Sequence, residues 1–243
     1  MLWSRVVELS RRFGLAGLLA ASSAWGAPNE IKVFTDELAA YGEHTLEVHA
    51  NKAGGAAPLR LMPEYSYGLR PDWELSFQLP SAFSGDASRV EGYRAELQYV
   101  APHDPERGFY WGLNVELARN ERLNEARFWN LELVPIVGYR AGRWHAAANP
   151  GIEKPLSGAA GSPVFQPAAK IAYNAFARNH YGIEYYVDAG PLRHRSPREE
   201  QSRVVYFAWD GKIGRSDINL AIGRGVTDAS DRWVAKAIYE VSF

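Results

Sequence analysis

Glu47 and His49 stand two residues apart in L-E-V-H-A-N (46–51), and Glu64 and Glu240 occupy similar settings in two other segments. Carboxylate oxygens and an imidazole nitrogen suit several divalent ions, provided that neighbouring elements bring them to one point. One histidine among scattered glutamates is a weak signature, and the chain has no His or Met cluster of the kind that copper handling needs. The spacing therefore predicts no metal site. A hydrolase would require a Ser nucleophile beside a His base that a third group orients. H-R-S (194–196) is the one H-x-S in the chain, and it sits among Arg, Glu and Pro, a composition typical of a solvated loop. No catalytic residue and no cofactor are predicted. Arg193, His194, Arg195 and Arg198, beside Glu199 and Glu200, read as mixed surface charge, with lipopolysaccharide phosphates as the alternative partner.

The whole-chain balance narrows the class further. There is no cysteine in 243 residues, which excludes disulfides and thiolate metal sites. Twenty-seven basic and 28 acidic residues leave a net charge of −1, without the basic surplus of a nucleic-acid binder. The first residues read as an export signal. Arg5, Arg11 and Arg12 precede the apolar run from Phe13 to Ala21, and S-S-A-W-G-A (22–27) places Ala24 and Gly26 where a signal peptidase needs small residues. The run is about half of the ~20 residues that a spanning helix needs. S-R-R-F-G (10–14) hints at a twin-arginine signal, but its Phe comes one place too early, so the general secretion route is preferred. Cleavage after Gly26 removes three Arg and one Glu and takes the net charge from −1 to −3. An exported chain of this kind belongs in the periplasm, in the medium, or in the outer membrane as a β-barrel.

The elements that must position these residues are strands. In 73–79, Trp73, Leu75, Phe77 and Leu79 alternate with Glu74, Ser76 and Gln78. In 109–117, Phe109, Trp111, Leu113, Val115 and Leu117 alternate with Tyr110, Gly112, Asn114 and Glu116. Period two over seven to nine residues marks a strand with one apolar and one polar face. The same pattern covers Leu46–Ala50, Tyr65–Leu69, Tyr93–Tyr99, Trp129–Tyr139, Trp144–Ala148, Ile171–Ala175, Tyr181–Asp188, Ile218–Ile222 and the closing 232–243. R-V-V-Y-F-A-W (203–209) is apolar on both faces, and its register is ambiguous. The total is twelve strands. Connections alternate between tight ones (70–72, 141–142, 178–180) or short ones (101–107, 210–215) and longer ones at 53–59, 81–89, 118–126, 149–164 and 190–202. This parity predicts an all-β fold, a transmembrane antiparallel up-and-down β-barrel over 45–243, after a periplasmic lead-in segment at 27–44. A soluble sandwich also alternates, but its apolar faces meet in a core; here aromatic residues flank the apolar stretches as interface girdles do. Closure also removes the hydrogen-bonding edges that lipid cannot satisfy.

E-I-K-V-F-T-D-E (30–37), G-E (42–43) and L-E-V-H-A-N (46–51) resemble the opening of uncharacterised Gram-negative outer-membrane barrels related to phenol-degradation meta-pathway and transporter-like proteins. E-Y-S-Y-G-L-R-P-D-W-E-L-S-F-Q-L-P (64–80) is similar to their second hairpin. Q-P-A-A-K-I-A-Y-N (166–174), I-E-Y-Y (183–186) and G-R-G-V-T-D-A-S-D-R-W-V-A-K (223–236) resemble their closing strands. The resemblance implies the fold and the compartment more firmly than a substrate, since the phenol label is a genomic association. It also implies an assembly signal. The end on Phe243 resembles the terminal aromatic signature of such proteins, with Trp233, Tyr239 and Phe243 on the lipid face, for the barrel-assembly machinery to recognise. The same segment is expected to pair with the first strand, around Leu46 to Ala50, and close the sheet.

If the apolar faces meet lipid, the polar faces line a lumen. The early strands contribute Glu47, His49, Glu64, Glu74, Arg94 and Glu96. The middle ones contribute Asn114, Glu116, Asn130, Glu132, Lys170 and Asn174. The last contribute Glu184, Asp188, Arg224, Lys236 and Glu240. Carboxylates outnumber bases, and buried charges of this kind must pair. Two readings stay open: a structural polar core, or a water-filled passage whose acidic surplus disfavours anions. The expectation is a monomeric outer-membrane barrel that passes or binds a small solute, with lipid and lipopolysaccharide around it. An outer-membrane lipid hydrolase, or a structural or surface-interaction barrel without a pore, is the alternative.

Overall fold

A computed structural model describes residues 31–85, 87–121, 127–157, 161–176 and 178–243. The expected signal at 1–26 and the first part of the expected lead-in, 27–30, lie outside them. Strands β1 (His44–Ala53), β2 (Leu59–Arg70) and β3 (Trp73–Gln78) open the wall, and β4 (Ser81–Ser84) and β5 (Ala87–Val90) form a short hairpin. Strands β6 (Gly92–Val100), β7 (Gly108–Asn120), β8 (Phe128–Ala141), β9 (Trp144–Pro155) and β10 (Val164–Phe176) follow. Strands β11 (Asn179–Asp188), β12 (Ser202–Ile213), β13 (Ser216–Gly225) and β14 (Val234–Ser242) complete it, with one 3-10 turn at Arg198–Glu200.

β4 continues β3 past a break at Leu79–Pro80, and β5 leads into β6 past a break at Glu91, so the fourteen segments make a closed antiparallel barrel of twelve wall strands. The expected loop at 81–89 is thus a strand extension: β4 pairs with β2 and β5. Its sequence, S-A-F-S-G-D-A-S-R, lacks alternation, and pairing with β2 overrides that local deficit. Closure runs through β1, which pairs with β2 on one side and β14 on the other; Leu46 faces Val241 and Ala50 faces Ala237 across the seam. His44 and Phe243 exchange both backbone hydrogen bonds at its end, at 3.2 and 2.9 Å. Closure at the seam removes the free sheet edge that lipid could not satisfy.

The pleat separates the two faces of every wall strand. Along β7, Phe109, Trp111, Leu113 and Leu117 point outward and are exposed, while Tyr110, Asn114, Glu116 and Ala118 point inward and are buried. The ambiguous 203–209 stretch takes its register from β11. Val204, Tyr206 and Ala208 are buried inward, and Phe207 is exposed outward opposite Ile183. A one-residue slip would have turned Tyr206 into the bilayer and Phe207 into the interior.

Residues 31–39, within the expected lead-in at 27–44, run through the interior of the barrel, and 40–43 turn at its rim. Ile31 packs among Ala53, Val204, Tyr206 and Val234, at the end of β1 furthest from His44. The chain then descends antiparallel to β1 and turns at Gly42 (φ 79°), where Glu43 N–H donates to the Ala40 carbonyl at 2.8 Å. Ile31, Val33, Thr35 and Ala39 are all buried. A single extended segment has no ladder partner, so its backbone groups must be satisfied by side chains from the wall. Asn149 donates to the Phe34 carbonyl at 3.1 Å, Gln98 to the Thr35 carbonyl at 3.3 Å, and the Ala39 amide donates to Glu74 at 2.5 Å. Gly68 of β2 leaves room for the base of the segment, since a Cβ there would collide with the Ala39 and Ala40 carbonyls.

Candidate functional site

The lumen and the segment inside it form the candidate site. Four adjacent strands present carboxylates at successive cross-strand positions: Asp217 opposite Glu240, Glu240 opposite Glu47, and Glu47 opposite Glu64. Like charges directly opposite each other destabilise a sheet. The row is held by cations and donors. Lys32 of the internal segment brings its ammonium to 3.1 Å from Glu47. His49 Nε2 touches the Glu47 carboxylate and lies 3.2 Å from Glu64. Glu64 also accepts from Gln78 at 3.2 Å and from Ser66 at 3.3 Å.

A second cluster lies beside the first, over β10 to β14. Glu184 receives Lys236 at 2.5 Å and Tyr186 OH at 2.8 Å, with Lys170 at 3.6 Å. Lys170 also reaches Asp210 at 2.7 Å, and Asn219 donates to Asp210 at 2.6 Å. The Lys236 ammonium sits over the rings of Tyr186 and Tyr206, at 5.6 and 5.8 Å from their centroids. On β6 and β7, Arg94 pairs with Glu116 at 3.0 Å, and Glu96 accepts from Gln78 at 2.6 Å and Asn114 at 3.0 Å. Asn130 accepts from Asn120 at 2.6 Å. Glu132 reaches over Gly151 of the neighbouring strand.

The third cluster fixes the segment at the end of the barrel where the turns are short. Arg140 donates twice to Asp36, at 3.0 and 2.5 Å, and His103 Nε2 lies 3.0 Å from the same carboxylate. Tyr110 OH and His145 Nε2 are 2.6 Å apart beside it. Charge-assisted bidentate pairs are the strongest class of hydrogen bond available to a side chain.

Sixteen of the seventeen residues assigned to the lumen fall on the inward parity of their strands, and Arg224 does not. It shares the outward parity of Ile218, Leu220 and Ile222, lies opposite Val205, and stacks its guanidinium 5.2 Å from the centre of the Trp233 ring. Near a strand end, an outward Arg can lay its stem on an aromatic ring while its head group stays in the polar interface. Asn174 and Asp188 sit at strand ends, outside the three clusters; Asp188 accepts from the Gly190 amide at 3.0 Å and shapes a turn. Trp233, Tyr239 and Phe243 are exposed on the outer face, and the Phe243 ring stacks on His44 at 5.9 Å. Around the H-R-S stretch, the Ser196 carbonyl accepts from Gln201 at 2.6 Å and its hydroxyl lies against Gly190, a packing role.

Sequence reasoning missed Lys32, Asp36, Arg140, His103 and His145, and it left Tyr110, Tyr206 and Asp210 out of the lining. Parity was enough to place Tyr110 and Arg140 inward. Nothing in the aperiodic 30–41 stretch marked Lys32 and Asp36 as lumen groups. A groove of about 550 Å³ beside Leu46, Tyr65, Phe77, Tyr93 and Trp129 lies on the outer wall and belongs to the lipid-facing surface.

No family model and no curated protein matches the chain. Among solved structures it is similar to an outer membrane channel from Pseudomonas putida F1, with a TM-score of 0.68 at 11% identity, over 88% of this chain and 100% of that one. It is also similar to the NanC porin, with a TM-score of 0.54 at 12% identity, over 82% of this chain and 98% of that one. At such identities the likeness is one of architecture: this chain has the fold of an outer-membrane β-barrel.

Proposed function

We propose that the protein is an outer-membrane channel for small solutes, and not an enzyme, whose passage is closed by residues 31–43 in the state seen here. The observation that carries this reading is how the segment is held. Ile31 has an apolar seat, but most of the other attachments are polar: Lys32 to Glu47, Phe34 and Thr35 carbonyls to amide side chains, Asp36 to Arg140, Ala39 to Glu74. Water or a polar solute can take over the neutral hydrogen bonds among these contacts at little net cost, and the ion pairs of Asp36 and Lys32 are the stronger tethers. The two similar structures, described as a channel and a porin, support the same reading. The lining (Glu47, Glu64, Glu74, Glu96, Glu116, Glu184 and Glu240 among others) favours cations and neutral polar solutes over anions.

Export by the 1–26 signal, recognition of Trp233, Tyr239 and Phe243 by the barrel-assembly machinery, and a lipopolysaccharide-facing outer loop belong to this proposal. The test is single-channel recording in planar bilayers of the refolded protein beside a variant lacking residues 31–40. Small, infrequent steps are expected from the first, and larger, cation-selective steps from the second. Two silent proteins that both migrate as folded barrels on unheated gels would remove the channel reading. Phenol, the solute attached to the family that the sequence resembles, belongs in a vesicle-swelling panel beside sugars and amino acids.

A further inference from the structure

We propose that Glu47, His49 and Glu64 form a divalent-cation site, and that Lys32 of the internal segment occupies it with its ammonium group. The three side chains are buried, and one ligand atom from each lies within 4.8 Å of the others. An ion held at about 2.1 Å from each oxygen or nitrogen needs ligand pairs within roughly 4.2 Å, which small rotations of the glutamate side chains supply. Two carboxylates and an imidazole suit a borderline ion of the zinc class better than a hard, all-oxygen one.

Two further observations point to a cation. The first is the resident one: the ion pairs of Glu47 and Glu64 run to Lys32 and His49, and Lys32 is not part of the wall. The Glu184 cluster differs here, because its cations, Lys170 and Lys236, come from wall strands and stay with it. Withdrawing the segment therefore strips the Glu47–Glu64 pair of an ammonium while leaving the Glu184 cluster neutralised. The second is the carboxylate row itself, in which Glu240 faces Glu47 from across the seam and brings a third carboxylate beside the site. His49 Nε2 faces the carboxylates and Nδ1 is buried without a hydrogen-bond partner, so Nε2 is the ring's ligand atom once its proton leaves with the ammonium or passes to Nδ1. Ion and ammonium exclude one another, so a bound cation favours the withdrawn segment.

Zinc ion is the probe, titrated calorimetrically into the full-length folded protein in detergent. Wild type is expected to bind weakly, because Lys32 competes. Lys32→Met should bind at least tenfold more tightly, and adding Glu64→Gln or His49→Gln to that variant should abolish the gain. A Lys32→Met protein that binds no tighter than wild type overturns the proposal. So does tight binding that survives both ligand substitutions, since the ion then sits elsewhere. Gel mobility before and after heating establishes that each variant is folded, and the two ligand variants are independent routes should one fail to fold. Binding is read without any passage of solute, so a silent bilayer would count against the channel and not against this site.

Discussion

Asp36 and Arg140 lie 104 residues apart in sequence and meet in a bidentate pair, with Asp36 almost wholly enclosed. Removing one partner of a buried ion pair costs about 3–5 kcal/mol, because the other is left without compensation. The barrel itself is held by its ladders, so in Arg140→Ala the strain falls on the segment. The expected result is faster protease cleavage within 31–43 and larger conductance steps, with the gel-shifted barrel intact. Asp36→Asn should be milder, since a neutral amide leaves no bare charge, and the double variant should be no worse than Arg140→Ala alone. Unchanged cleavage in Arg140→Ala would show that this pair does not hold the segment. Half of the pair was legible in the sequence: Arg140 continues the inward parity of Asn130 and Glu132. Asp36 was not, because its position depends on a tertiary route that no local periodicity encodes.

Among the elements, cross-strand pairs of tyrosine and glycine recur inside the wall. Tyr110 of β7 faces Gly138 of β8, and Tyr206 of β12 faces Gly223 of β13. In each pair a Cβ on the glycine would fall on the tyrosine ring, so the missing side chain is the hollow in which the ring lies. Gly138→Ala should force the Tyr110 ring away and break its contact with His145, at a cost of about 1–3 kcal/mol for an overpacked interior. Unfolding in urea from lipid vesicles reads this directly, and a wild-type midpoint would refute the packing argument. Most of the wall was legible at this scale because alternation dictates which face meets lipid. The 81–90 hairpin was not, since its short strands carry no pattern and are ordered by β2. Arg224 carries a lumen-type charge on a lipid-side parity, and the Trp233 ring beside it resolves that conflict in favour of parity.

For the whole molecule, the question is what the outer face meets. Ile171, Ile183, Phe207 and Ile222 form a continuous cross-strand row over β10 to β13, and they are 50, 44, 55 and 56% exposed. A soluble protein does not present such a band to water, whereas a bilayer requires it. The period-two pattern made both the band and the closing seam readable. The filling of the lumen was not readable, because a polar inner face is equally compatible with water, with paired side chains or with a threaded segment. Ile183 lies near the middle of β11, so its substitution separates the two solvents. Ile183→Arg should lose about 2–4 kcal/mol in refolding titrations into phospholipid vesicles, the range for a cation near the bilayer midplane. On a water-exposed wall the same change would shift stability by only about 0.5 kcal/mol. Ile183→Val, which keeps the face apolar, should refold as wild type does. A lossless Ile183→Arg would mean that this row does not face the hydrocarbon core, and the transmembrane placement of β10 to β13 would fall with it.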